Sequence, residues 1–158
     1  QMAIVGNFPY NISSQIMFKV LDFKDSIPVV VGMFQKEVAE RLCAKPNSKK
    51  YGILSVLLQV YYEAEYLFDV PREAFNPPPK VISGVMSLTR KPNLSINHNE
   101  KFFKQVVKLA FGQRRKTLRN SLKGLIKNDE VKNLEIFNKR PEALSVDAFI
   151  NLTNILEA

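Results

Sequence analysis

The chain has 158 residues, 46% of them apolar and 24% charged, and its 11 Phe and 5 Tyr supply enough core material to exclude a disordered chain. Its one cysteine, Cys43, excludes an internal disulfide framework, and the longest apolar run, Ile27 to Phe34, is too short to cross a bilayer. The net charge of +8 is unevenly spread: residues 1–90 carry 10 Lys/Arg against 8 Asp/Glu, and residues 91–158 carry 13 against 7.

The chain opens on the apolar run Met2–Val5, with neither an initiator Met at position 1 nor a basic-then-apolar leader. This reads as an entry partway through a domain, and a cytoplasmic location is expected. Met2–Val5 is predicted to be a short strand ending at Gly6. Ser13 or Ser14 is positioned to cap a helix carrying Ile16, Met17, Val20 and Leu21. Pro28–Phe34 is a β-branched apolar run, the pattern of a strand buried on both faces. A short helix over Gln35–Leu42, a loop over Lys45–Gly52 and a helix over Ile53–Val60 follow. Tyr62, Ala64, Tyr66, Phe68 and Val70 alternate with Glu63, Glu65 and Asp69, which predicts a strand of period two. Val81–Thr89 alternates likewise, with Ile82, Met86 and Leu88 in step. Pro77-Pro78-Pro79 makes the connection between these two strands extended and stiff.

Lys91-Pro92-Asn93 marks a boundary, after which no strand is expected. Glu100–Phe111 carries Phe102, Phe103, Val106, Val107, Ala110 and Phe111 on one broad helical face. A helix over Lys116–Lys127 would bury Leu118, Leu122, Leu125 and Ile126, and Ser145 can cap a last helix bearing Val146, Phe149, Ile150 and Thr153. The fold class is therefore α/β over 1–92, a sheet ending in an antiparallel hairpin, followed by a small all-α domain over 93–158. Nine basic residues and no acidic one lie between Lys101 and Lys127, and on a helix Lys116, Arg119, Lys123 and Lys127 share one face, with Arg114 and Arg115 at its start. Such a stretch is either a footprint for a polyanion, most often nucleic acid, or a solvated face that aids solubility.

The segment with the most chemical content is Asn7-Phe8-Pro9-Tyr10, which directly follows the first strand. Ligands of α/β folds bind at the carboxyl ends of strands. Pro9 restricts Phe8 to extended conformations and so fixes the direction of its carbonyl, while the Asn7 amide brings a second, mobile acceptor. Two acceptors match the two N–H groups of an exocyclic amine, and Tyr10 offers a flat face for a base to stack on. His98, the sole histidine, falls in a polar linker with no assigned role, Cys43 reads as a packed small residue, and no His/Cys cluster with metal-ligand spacing occurs.

Asn7-Phe8-Pro9-Tyr10 resembles the catalytic Asn-Leu-Pro-Tyr motif of adenine-N6 methyltransferases, with Phe in the usual Leu position. Gln35–Leu42, the loop Pro46–Val56, the run Ala74–Ser83 and the stretch Ala110–Leu122 are similar, in the same order, to further signatures of the ribosomal RNA adenine dimethyltransferases, the small-subunit enzymes in particular. The resemblance implies a Rossmann-like methyltransferase sheet, S-adenosylmethionine as methyl donor, and two adjacent adenosines near the 3′ end of small-subunit rRNA as substrate. It assigns catalysis to Asn7, Phe8, Pro9, Tyr10 and Phe75, with Asn7 also at the cofactor. It turns the basic residues Arg114, Arg115, Lys116, Arg119, Lys123 and Lys127 into RNA contacts, extended by Lys45, Lys49, Lys50 and Lys80.

No two glycines of the chain stand two residues apart, so the family's glycine-rich cofactor loop has no counterpart here. The chain is expected to be the C-terminal part of such an enzyme, a monomer at full length, with most of the cofactor site elsewhere. Alone it is expected to be inactive and to self-associate through the bared edge of Met2–Val5. Two alternatives stay open: a large-subunit rRNA dimethylase of the antibiotic-resistance type, and a non-catalytic rRNA-binding module of ribosome assembly.

Overall fold

The computed structural model describes residues 1–92 and 97–158, which form two units: 1–44 with 61–92, and 45–60 with 97–158. Asn93, the last residue of the boundary read in the sequence, lies outside the described residues.

The first unit is built on one four-stranded sheet. Strands β1 (Ala3–Asn7), β2 (Val29–Gln35), β3 (Tyr62–Val70) and β4 (Ser83–Arg90) lie in the order β1-β2-β4-β3. β1 runs parallel to β2, whereas β4 is antiparallel to both β2 and β3. β1 is thus an edge strand, with Val5 77% exposed upon it. Helix α1 (Ser13–Asp22) joins the parallel pair, and α2 (Lys36–Cys43) follows β2 directly and packs on β2, β3 and β4. The core holds Met17, Val20, Val30, Phe34, Leu42, Tyr62, Met86 and Leu88, and the Tyr62 hydroxyl donates to the Ile27 carbonyl at 2.8 Å.

Four local expectations change. β2 is buried on one face only, through Val30, Gly32 and Phe34, and its other face is half-buried. Ser13 lies inside α1 rather than capping it, and its hydroxyl donates to the Tyr10 carbonyl at 3.2 Å. Ile82 stands outside β4 and is 42% exposed, so the residues in step with Met86 and Leu88 begin at Gly84. Finally, Tyr66 pairs with Met86 but Phe68 pairs with Val85, so one extra residue bulges between them. An inserted residue reverses the side-chain parity of a strand. Phe68 therefore leaves the face of Tyr62, Ala64 and Tyr66 and is 56% exposed.

The second unit contains α3 (Ile53–Gln59), α4 (Glu100–Gly112), α5 (Leu118–Ser121), α6 (Asp129–Lys132) and α7 (Val146–Glu157), and no strand among its described residues. α3 is buried along almost its whole length, from Leu54 to Gln59, the polar Ser55 and Gln59 included. It packs on α4, which also contacts α5 and α7. Phe103, Val106, Val107, Leu118, Leu122, Phe137, Phe149 and Leu152 form the core. Ser145 caps α7 as expected, its hydroxyl accepting from the Ala148 amide at 3.1 Å. Asn99 caps α4 in the same way, accepting from the Phe102 amide at 3.1 Å.

The continuous helix expected over Lys116–Lys127 does not form. Only Leu118–Ser121 are helical, turns follow to Leu125, and a new helix starts after Asn128. A mid-helix glycine costs about 1 kcal/mol relative to alanine, and Gly124 occupies that place. Asn128 then offers a competing start, its side chain accepting from the Val131 amide at 2.9 Å ahead of Asp129 and Glu130.

Candidate active site

The end of β1 is prolonged by one hydrogen bond, from the Phe8 amide to the Met33 carbonyl at 3.0 Å. This holds the Asn7–Phe8 backbone against β2 up to the point where Pro9 removes the next donor. The Phe8 ring turns inward, 8% exposed, and stacks on Phe34 with centroids 4.9 Å apart and planes 19° apart. It occupies the space over Gly32, where a β-carbon would come within 2.2 Å of the ring. The side chain of Phe8 is thus an anchor, which leaves its backbone carbonyl and the exposed Asn7 amide as the groups free to face a ligand.

Past Pro9 the chain turns, the Ile12 amide donating to the Pro9 carbonyl at 3.3 Å. Tyr10 is half-buried, and its hydroxyl is hydrogen-bonded to that of Ser83 at the start of β4. Asn7, Phe8, Pro9 and Tyr10 line a cleft of about 400 Å³ together with Phe75, Pro77 and Pro79 from the β3–β4 connection. That connection holds a short 3₁₀ turn over Arg72–Ala74 and a cis Asn76–Pro77 bond. The four motif residues and Phe75, separated by 65 positions or more, therefore share one site. Its lining is aromatic and proline-rich, with a carboxamide, a phenol and no carboxylate, which suits a flat heteroaromatic ring carrying an amine.

The basic residues named from the sequence are distributed differently from the helix face expected of them. Lys80 is the only one in the unit that holds the cleft, and it is exposed. The loop Lys45–Tyr51 belongs to the second unit and is fastened within it: Arg114 donates to the carbonyls of Ser48 (3.1 Å) and Tyr51, Tyr51 donates to the Leu144 carbonyl at 2.7 Å, and the Asn47 amide donates to the Glu142 carbonyl at 2.7 Å. Arg114 thus spends its guanidinium on the unit's own backbone. Lys45 reaches Gln59 Oε1 at 3.3 Å, whereas Lys49, Arg115 and Lys116 are exposed and Lys50 is half-buried.

Arg119, Lys123 and Lys127 do converge, not on a helix face but around a pocket of about 250 Å³. Lys132 joins them there with one carboxylate, Asp129, and Lys116 does not. Lys127 Nζ also donates to the carbonyls of Glu157 (2.8 Å) and Ala158 (2.7 Å). Sequence reasoning missed Lys132, although the Asn128-Asp129-Glu130 helix start that carries it was visible. Ser83 ends the run Ala74–Ser83, but no local feature marks it as the partner of Tyr10.

His98 is more engaged than a polar linker implied. Its ring lies 4.8 Å from that of Phe103, its Nε2 is buried without a partner, and burial lowers its pKa against the opposing pull of Glu100 and Glu157. No group of His, Cys, Asp and Glu able to hold a metal ion occurs among the described residues, and no described helix is long and apolar enough to cross a membrane.

The whole chain, residues 1–158, matches the family model described as ribosomal RNA adenine dimethylase. It is 62% identical over its full length to a protein of Flavobacterium johnsoniae named ribosomal RNA small subunit methyltransferase A, of which it covers 60%. A Parabacteroides distasonis protein of the same name is 59% identical over 98% of the chain, which covers 59% of it. The chain therefore spans about 60% of the length of these curated relatives. Among solved structures, a dimethyladenosine transferase from Plasmodium falciparum is similar with a TM-score of 0.83 and 26% identity, over 95% of this chain and 64% of that one. The 23S rRNA methyltransferase ErmE, at 24% identity and a TM-score of 0.68 over 99% of this chain and 66% of that one, shares the fold.

Proposed function

The chain belongs to the ribosomal RNA adenine dimethylase family, and we propose that it carries the adenine-binding half of the active site of a small-subunit rRNA adenine N6,N6-dimethyltransferase. The observation that carries this reading is the cleft in which Asn7, Phe8 and Tyr10 meet Phe75. The names of the relatives at 55–62% identity favour small-subunit rRNA as the substrate over the large-subunit alternative. An intact acceptor pair in an open cleft favours catalysis over a purely binding role.

Adenine N6 is a weak nucleophile because its lone pair is delocalised into the ring. The Asn7 side-chain oxygen and the Phe8 carbonyl accept its two hydrogens and favour a pyramidal nitrogen. The same two oxygens stabilise the positive charge that grows on N6 as it takes on a methyl group, and the proton leaves to solvent afterwards. Tyr10 on one side and Phe75 on the other hold the flipped base, which offsets part of the cost of unstacking it. S-adenosylmethionine supplies the electrophilic methyl when bound. The cleft fits only the reacting end of that group, with Asn7 beside it, since its lining offers no carboxylate for ribose hydroxyls and no second polar cluster for the amino-acid end.

The cations of the second unit bind rRNA phosphates, which position the substrate without reading its sequence. The edge strand β1, with Val5 exposed, is the surface through which the chain self-associates.

The test is a chimera in which this chain replaces the corresponding part of the Flavobacterium johnsoniae protein. It is expected to methylate small-subunit rRNA, and Asn7→Ala is expected to lower the single-turnover rate by about 10²–10³ with RNA affinity unchanged, as for one missing transition-state hydrogen-bonding partner. A chimera without activity, or an Asn7→Ala rate near that of the parent, overturns the reading.

A further inference from the structure

Ser83 opens β4, paired in register with Gln35 of β2 and Val70 of β3, and it is fully buried. A hydroxyl in such a place is costly unless it is hydrogen-bonded. Its partner is the hydroxyl of Tyr10. At its other end Tyr10 is held through its backbone carbonyl, which accepts from Ser13 Oγ at 3.2 Å. The aromatic ring is therefore fastened on both sides, and it forms one wall of the cleft between the two fastenings. Phe75, Pro77 and Pro79, which line the same cleft, lie on the segment that leads into Ser83, and the residue before Ser83 is pinned by the Lys36 amide donating to the Ile82 carbonyl at 2.9 Å.

Packing alone does not fix Tyr10, because its side is half open to solvent. A hydrogen bond between a buried and a half-buried hydroxyl adds little net stability, and replacing both partners by apolar groups of similar shape is close to neutral. What the pair does add is direction, since a hydrogen bond prescribes distance and angle at the far end of the ring.

We propose that Ser83 is a positioning residue for methyl transfer: its hydrogen bond to Tyr10 sets the plane of that ring and hence the width of the slot into which a purine slides opposite Phe75. This rests on the reading of the cleft as an adenine site. Ser83 touches no reacting atom and acts through Tyr10, so its removal is felt as a base held in a less productive pose rather than as an unbound RNA.

The experiment uses the chimera with Ser83→Ala, Tyr10→Phe and the two combined, each measured for thermal midpoint and for single-turnover rate across RNA concentration. Ser83→Ala is expected to lower the rate at saturating RNA about tenfold, the worth of one well-aligned hydrogen bond, while the half-saturating RNA concentration stays within about twofold. In the double variant no hydroxyl is left unpaired, so the midpoint returns toward that of the parent while the rate stays low. A rate that recovers with the midpoint, or a Ser83→Ala rate equal to the parent's, overturns the proposal and leaves Ser83 a structural residue. Failure of the adenine-site reading shows separately, as Asn7→Ala at the parental rate.

Discussion

The ring of Phe8 lies so close over Gly32 that a β-carbon on that glycine would stand 2.2 Å from one ring carbon and 2.6 Å from another, with the Phe34 ring also within 2.8 Å. Both rings are buried and stacked, so neither can swing aside. Gly32 is therefore small because Phe8, whose backbone carries the second acceptor of the cleft, has a large side chain. Gly32→Ala is expected to destabilise the chain by about 2–3 kcal/mol through overpacking. Phe8→Leu in the same background removes the ring and is expected to restore at least half of that stability, as read from urea denaturation midpoints. Additive effects of the two substitutions would show that the close approach of the ring is not what keeps position 32 a glycine.

The four strands, α4 and the Ser145-capped α7 were legible because each rests on a periodicity or a cap confined to a few neighbouring residues. The acceptor motif was legible for the same reason, since Pro9 acts on Phe8 through the adjoining bond. What could not be read is non-local. The Tyr10–Ser83 hydrogen bond joins residues 73 positions apart. Nothing in the charge of Arg114 announces that it will be spent on the carbonyls of Ser48 and Tyr51 rather than on a ligand. The bulge between Tyr66 and Phe68 escapes a period-two count because Phe68 and Val70 keep the sequence phase of Tyr62, Ala64 and Tyr66, and only Leu67 interrupts the polar series. The helix expected over Lys116–Lys127 failed through competition: apolar spacing favoured it, while Gly124 and the Asn128 cap favoured two short pieces.

Arg114 and Arg115 are adjacent and alike in composition but not in use. Arg114 bridges two backbone carbonyls and lies over the Phe111 ring at 5.8 Å, whereas Arg115 is exposed. Arg114→Ala is expected to cost about 2–3 kcal/mol, the size of charged hydrogen bonds removed from a half-buried site, and Arg115→Ala about 0.5 kcal/mol or less. Arg114→Lys should recover little, because an ammonium lacks the planar fork that reaches both carbonyls. Chemical denaturation of the three variants checks the order, and equal costs at positions 114 and 115 would contradict it.

His98 gives the second unit a dependence on pH. Burial of its ring lowers its pKa below the ordinary 6.5, against Glu100 of α4 and Glu157 of α7, which raise it. The folded chain then binds fewer protons than the unfolded chain. The stability tied to the neutral ring is fully present above about pH 6.5 and is lost as the pH falls through the lower folded value. His98→Gln removes the titration, so its thermal midpoint is expected to fall less than that of the parent between neutral and mildly acidic pH. Parallel curves for the two proteins would mean that the ring is not desolvated as its buried Nε2 indicates.

The basic pocket offers the most direct test of RNA binding. Arg119, Lys123, Lys127 and Lys132 surround it with one opposing carboxylate, Asp129, so its net charge is strongly positive. Each phosphate neutralised there releases counterions, which makes affinity fall with salt in proportion to the number of phosphates engaged. Changing all four cations to Gln is expected to weaken rRNA binding and to flatten the log–log salt slope by up to about 0.9 for each phosphate no longer neutralised on a duplex, and about 0.7 on a single strand. Lys127 contributes less than its charge implies, because its ammonium already serves two backbone carbonyls. Lys116→Gln, outside the pocket lining, is expected to change the slope by no more than a single phosphate accounts for. Salt titrations of the binding constant distinguish the two cases. A slope unchanged by the fourfold substitution would return these residues to a solvated surface, and an equal effect from Lys116 alone would restore the extended stripe that the end of the helix at Ser121 argues against.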